Sequence, residues 1–497
     1  MINSLEHTNR TNKGDWLDLI SLSYLYLPIA VFALTWFKAY IGIPFILLCL
    51  VIIFRYVSGQ NKETVINKNN ILWFIISMII LFAWCVFSGL GGFAQQTDDW
   101  QKHNVLLKTF INHSWPINIS YKGKSGVISY YIGDYLLPGL VGKISNFNVA
   151  QVCLLLWMFI GLVLLSILIY RWINTNHGWS FLIISFSLIL FSTFIYPLSG
   201  IYKVWNPTDL SPVLGPVGEW FSNSVQIQYT SNISLLRYVF PQFVAIAIGT
   251  ISFINNRYEY EKWGIWLAPL SLYSTFAFVG LALLMVLSFI YDSITSRKFI
   301  SKIQKLFSFN NICALIIALI LAIYIAGNIL QPKPEFTKMS FSFINYSNHK
   351  LVFLTFQFSW IIWVLLLLKY ERKNSIIYIS SILLFILPFC RFGFANDLVM
   401  RVSIPALLIL NFAVIRGIVV HVTDNDKYPV FVLIGALLIS GAGPLWEIKE
   451  GARTISIHQT YNMKYKDTTE YFNTERFTAY QYVDWDKSGI IKLIIRK

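Results

Sequence analysis

Charge is what this sequence has least of. Only 13% of its 497 residues are Asp, Glu, Lys or Arg, about half the share of a soluble globular domain. That shortage excludes an ordinary water-soluble enzyme. Cysteine is scarce as well: Cys49, Cys85, Cys153, Cys313 and Cys390 all lie in or beside apolar runs and form no CxxC pair. A disulfide framework and a zinc cluster are therefore poor readings. The thiols read as small buried apolar groups. There is no Walker loop, no GxGxxG behind a strand and no HExxH, which argues against a cytosolic nucleotide-driven enzyme. Period-two alternation, which a membrane barrel requires, is missing too. No internal repeat or low-complexity tract is present.

What is there is apolar. Hydrophobic residues make up 56% of the chain and come in runs near ~20 residues, the length that crosses a hydrocarbon core. Candidate spans are 19–37, 40–57, 71–90, 150–170, 179–198, 235–254, 264–291, 311–330, 350–369, 375–390, 401–420 and 429–445. The expected fold is an all-α polytopic membrane protein with about 11–13 transmembrane helices. The 264–291 run is too long for one untilted span, and Pro269 with the polar groups of "APLSLYSTF" (268–276) predicts a break into two pieces. The first run follows a polar amino terminus with no cleavage site, so it reads as a retained span.

The net charge of +15 sits in short loops, which is the topology bias of membrane proteins rather than a nucleic-acid signal. Arg55, Lys62 and Lys68, then Arg257 and Lys262, then Lys369, Arg372 and Lys373 mark the cytoplasmic side. The amino terminus is then cytoplasmic and the 91–149 loop exterior. With the 264–291 run split, the basic 292–310 loop also falls inside. Exterior segments are 91–149, 199–234, 331–349, the 391–400 turn and a tail from Pro444. This divides the chain into a membrane domain, 1–443, and a small exterior tail, 444–497.

The chemistry-bearing groups gather on that exterior side. "GGFAQQTDDWQKHNVLLKTFINHSWP" (91–116) places Asp98 and Asp99 at the lip of a span. Acids there can cap a helix, serve as a general base toward a hydroxyl, or hold a cation that clamps phosphate. His103, four residues after Asp99, shares its helical face. The pair could bind a metal, but a hydrogen-bonding role for His103 is the stronger reading. Lys102 fits phosphate or interfacial lipid, and Asn104 joins Lys102 and His103 as a candidate substrate-binding residue. Leu106, Leu107, Phe110 and Ile111 predict an amphipathic helix lying in the membrane interface and ending before Pro116. "VISYYIGDYLLPGLVGKI" (127–144), broken by Gly and Pro, predicts a re-entrant or interfacial piece.

Two further clusters stand out. Arg391, Asp397 and Arg401 lie at the ends of apolar runs, where charge is costly. Asp397 and Arg401 suit a helical ion pair, and either arginine suits a lipid-linked phosphate. Gln228, Tyr229, Ser231, Asn232, Arg237 and Gln242 offer amides and rings of the kind that read sugars. A plain polar loop explains most of them, and Arg237 least easily.

On these residues the chain resembles the GT-C superfamily of integral membrane glycosyltransferases. The likeness rests on the acid-bearing first large exterior loop, "GGFAQQTDDWQKHN", followed by an interfacial helix and the broken segment "YYIGDYLLPGLVGK". It also resembles a group of bacterial multi-pass membrane proteins through "DDWQKHN", "QYTSN" and "NDLVMRVSIP". The resemblance implies sugar transfer from a polyprenyl-phosphate donor to an envelope glycan or lipid acceptor, outside the bacterial cytoplasmic membrane. It implies Asp99, with Asp98 second, as base or metal ligand, with a divalent cation (Mg or Mn) as possible cofactor. The chain has no large soluble carboxy-terminal domain of the oligosaccharyltransferase type, so no protein acceptor is implied. A polysaccharide polymerase or ligase, led by exterior arginines, and a lipid-linked glycan flippase are the alternative expectations.

Overall fold

The computed structural model describes residues 15–57, 66, 68–205, 219, 221, 225–330, 340–393, 396–453, 463–485 and 489–496. Lys62 and parts of the expected 199–234, 331–349 and tail segments lie outside the described residues.

The chain opens with α1 (Trp16–Trp36) and α2 (Ala39–Val57). Asp15 and Asp18 form a reciprocal capping box at the start of α1, which satisfies two otherwise orphaned backbone donors. Helix α3 (Ile71–Phe87) leads to the first loop, which holds α4 (Trp100–Asn112), the hairpin β1 (Asn118–Tyr121) and β2 (Lys124–Ile128), and α5 (Gly133–Ile144). Helix α6 (Phe147–Ile173) returns across, and α7 (Ser180–Leu190) and α8 (Ile195–Trp205) cross back as one bent span. The short α9 (Asn232–Tyr238) precedes α10 (Val244–Asn255).

Next come α11 (Trp263–Leu267), a 3-10 turn over Ala268–Leu272, and α12 (Thr275–Ser296). The break falls where Pro269 predicts it, though the pieces are unequal. Arg257 pairs with Asp292 at 3.1 Å, and the Ser308 hydroxyl donates to the Glu261 carbonyl. The 256–262 and 297–308 segments therefore lie on one face, as the split requires. On that face α13 (Phe299–Leu306) leads into α14 (Phe309–Leu330). Beyond β3 (Ser342–Phe343) run α15 (Lys350–Tyr370) and α16 (Ser375–Ile386), then β4 (Cys390–Arg391), which pairs with β3. Helices α17 (Asp397–Val402), α18 (Ile404–Thr423) and α19 (Lys427–Arg453) complete the bundle.

Among the described residues nine helical segments are long and apolar enough to span a membrane, with shorter apolar helices at Ile71–Phe87, Phe240–Asn255 and Ser375–Phe389. This is an all-α, multi-pass membrane protein with, among the described residues, two small sheets on one face. That face, the loop face, carries the 88–146 segment, both sheets and the tail. The opposite face is closed by Arg171 at the end of α6, which grips Asp15 at 2.9 Å and Asp18 at 2.5 Å.

The tail changes two expectations. Helix α19 runs through Pro444 to Arg453, so a boundary at 443/444 falls inside a helix; a packed membrane helix tolerates proline. Beyond it α20 (Thr468–Thr474), α21 (Arg476–Tyr482), β5 (Val483–Asp484) and α22 (Gly489–Ile494) lie across the loop face. Strand β5 extends the hairpin through β2, Asn328 of α14 donates to the Tyr480 and Val483 carbonyls, and Ile495 bridges to Phe37. The tail also covers α4, where Thr468 meets Thr109 at 2.9 Å. Helix α4 therefore buries Trp100, His103, Leu106 and Phe110 in protein instead of lying free in the membrane interface.

Helix α5 has the path of a re-entrant piece, one of the two forms expected for this segment. Its first residue, Gly133, packs on the Tyr273 ring, whose hydroxyl donates to the Leu25 carbonyl near the middle of α1. Twelve residues later, about 18 Å of helix, the chain is back at the start of α6.

Candidate functional site

Asp99 and Arg401 arrive at the loop face from opposite ends of the sequence. Asp99 precedes α4 but makes no capping bond with its side chain, so helix capping does not account for it. Its carboxylate pairs with Lys102 at 2.6 Å and keeps 42% side-chain exposure. Partial burial works against ionisation, yet the hydrogen-bonded Lys102 ammonium outweighs it, helped by the charge of nearby Arg401. The carboxyl titrates below its ordinary range. Asp98 is exposed.

Arg401, on α17, pairs with Asp397 at 2.9 Å and donates to the Tyr131 hydroxyl at 3.2 Å. Both the expected ion pair and a further reach are thus present in one side chain. Asp397 itself packs on Gly393, whose φ of +92° and lack of Cβ leave room for the carboxylate. Gln242, almost fully buried, donates to the same Tyr131 hydroxyl at 2.9 Å, while its Oε1 has no protein partner. Tyr131 lies against Tyr130, and Tyr130 against Tyr482 of the tail, with ring centroids 3.7 and 4.0 Å apart. The site is an acid with its lysine, an arginine with its acid, and a tyrosine–glutamine pair, walled by tail aromatics.

Other expected residues are committed to structure. His103 is buried, its Nε2–H donates to the Tyr238 carbonyl at 2.9 Å, and its Nδ1 accepts from the Tyr135 hydroxyl at 2.5 Å. Burial, with the Lys102 charge, pushes its pKa down to about 3. With both nitrogens engaged, the Asp99–His103 donor set does not fit a divalent cation. Among the described residues no cluster of three metal-ligating side chains occurs. Asn104 is wholly buried in an amide chain between Gln96 and Gln151.

Arg237 is buried against Glu447 at 3.1 Å and donates to the Phe87 carbonyl at 2.9 Å. Asn232 ties the Leu188 carbonyl to Asn411, Tyr229 donates to the Leu384 carbonyl, and Ser231 caps α9. Gln228 donates to Glu219, a buried acid that also accepts from the Ser231 amide and whose pKa burial raises. Arg391, on β4, reaches Gln226 at 3.4 Å. None of these described contacts reaches Asp99 or Arg401.

Tyr131 escaped the sequence reading because a tyrosine in an aromatic-rich segment carries no distinguishing signal. Asp134 escaped it too, although an acid inside "YYIGDYLLPG" breaks the rule that charges avoid membrane interiors. Set against protein-family models, curated proteins and solved structures, the chain matches none of them.

Proposed function

We propose that this protein is a membrane glycosyltransferase that moves a sugar from a polyprenyl-phosphate donor to a glycan or lipid acceptor at the loop face. The observation that carries the reading is the convergence of Asp99, Lys102, Arg401 and Tyr131 on one membrane face beneath a covering tail. In the proposed step an acceptor oxygen bonds to the anomeric carbon as the bond to the donor phosphate oxygen breaks. The hydroxyl proton passes to Asp99, and the phosphate leaves as an anion steadied by Arg401. Held below the ordinary carboxylate range, Asp99 is a weak base that stays ionised through mild acid. Its contribution is to orient the acceptor hydroxyl and take the proton late. Such a donor leaves as phosphate and needs no general acid.

Sidedness supports the same reading. Arg55, Arg257, Lys262, Arg297, Lys298, Lys305, Lys369, Arg372 and Lys373 lie in connections away from the loop face, and such a basic face favours a cytoplasmic placement, which in this reading is that of a bacterial inner membrane. The test is turnover of labelled polyprenyl-phosphate sugar by purified protein in lipid. Asp99→Asn lowers it by roughly 10²–10⁴-fold if the acid handles the proton. Unchanged turnover in a folded Asp99→Asn variant overturns the reading.

A transporter of lipid-linked glycan is a second reading, favoured by a single observation: Asp134 lies beside Tyr24 and Trp157 at mid-depth, where transporters place ionisable groups. Movement of labelled lipid across vesicles with no glycosidic product would select it.

A further inference from the structure

Asp134 opens the re-entrant helix α5 and is 2% exposed. It is surrounded by aromatic residues from three other elements. Tyr24 of α1 and Trp157 of α6 stack with ring centroids 4.2 Å apart, and both lie beside the carboxyl. Tyr273, between α11 and α12, also faces it, but its hydroxyl is already spent on the α1 backbone. No lysine, arginine or histidine stands against Asp134 among the groups that act on it. The other titratable neighbours are Cys85 of α3, beside Tyr24, and Tyr135, whose hydroxyl is held by His103.

Three buried polar atoms here make no hydrogen bond of good geometry: Asp134 Oδ1, the Tyr24 hydroxyl and Trp157 Nε1, although the Trp157 indole N–H approaches the carboxyl. An ionised carboxylate without a cation in such surroundings carries an uncompensated desolvation penalty, whereas a protonated one is uncharged and can itself donate. A metal cation is disfavoured because the indole N–H can only donate. Two donors and one acceptor around one point suit a single water, which needs two to four polar partners.

We propose that Asp134 is a proton-binding site inside the membrane domain: a neutral carboxylic acid that shares one internal water with the Tyr24 hydroxyl and the Trp157 indole N–H. The close packing around it fits a small ligand and nothing larger. Gly133 lies on the Tyr273 ring, and a Cβ at Gly161 would come within 2.5 Å of the Tyr24 hydroxyl. The assignment rests on neither glycosyl transfer nor transport and is tested apart from both.

The test is infrared difference spectroscopy on the full-length protein in lipid at neutral pH. Wild type shows a protonated carboxylic-acid carbonyl band that Asp134→Asn removes. Tyr24→Phe and Trp157→Phe, which keep the rings, each shift that band by removing one donor from the water. If Asp134→Asn fails to fold, the band shift in the two phenylalanine variants still decides the matter. A carboxylic-acid region unchanged by Asp134→Asn, or loss of a carboxylate band in its place, overturns the proton site. A band indifferent to both phenylalanine variants overturns the shared water.

Discussion

The Arg401 guanidinium donates to the Tyr131 hydroxyl at 3.2 Å across 270 residues of sequence. This contact joins the short helix before α18 to the segment that enters the re-entrant helix. It makes Arg401 a shared element of an ion pair and of the candidate site, so its loss has two separable consequences.

Arg401→Ala strands the buried Asp397, which costs about 3–5 kcal/mol for a broken buried pair. Asp397→Leu combined with Arg401→Leu removes both charges and recovers most of that stability, while turnover stays lost. Thermal unfolding in lipid beside donor turnover checks the split. Recovery of both together would mean that Arg401 acts only through the fold.

The Asp99–Lys102 contact predicts a pH signature. A carboxyl held below its ordinary pKa stays ionised as pH falls, so its contribution is present above the ordinary value and is lost only below it. Turnover therefore persists through mild acid. Lys102→Met removes the main cause of the depression and moves the acid limb of the profile up toward about 3.9, the reference for Asp. An unmoved limb would separate Asp99 from the rate.

Helices α12 and α17 touch at Gly280, where a Cβ would lie 2.2 Å from the Val402 carbonyl oxygen. That neighbour is backbone and cannot rotate away. Gly280→Ala should cost about 1–3 kcal/mol, and by displacing the residue beside Arg401 it should lower turnover as well. A lowered unfolding midpoint with intact turnover would show that the strain is absorbed elsewhere.

Asn328 clips the tail to α14 by hydrogen bonds of 3.1 and 3.2 Å to Tyr480 and Val483. Asn328→Leu keeps the bulk and removes the donors, leaving buried carbonyls short of a partner at about 1–3 kcal/mol. Amide exchange over 478–485 should rise selectively, with the α14 amides unchanged.

His103 is held by Tyr135 and Tyr238, so His103→Ala should destabilise the fold by about 1–3 kcal/mol. A chelator should change turnover by the same fraction in wild type and variant. Chelator sensitivity that vanishes with the imidazole would restore His103 as a metal ligand.

Much of this architecture is written locally. Hydrocarbon thickness and helix rise turn apolar run length into spans, so each of the twelve candidate runs has its counterpart helix or helix pair. Pro269 marks the break before α12, and the basic connections share one face. These features depend on a residue and its near neighbours, which is why a linear reading finds them. Asp98, Asp99, His103, Asn104, Arg237 and Arg401 are each a polar group near a membrane end, and beyond the family likeness that favours Asp99 the linear sequence does not show how each is partnered. Only tertiary structure separates them. His103 and Arg237 are saturated by Tyr135, Tyr238 and Glu447, and Asn104 by two glutamines. Asp99 keeps exposed surface, and Arg401 reaches Tyr131. A buried polar group is defined by the partner that satisfies it, and here most of those partners come from distant parts of the chain.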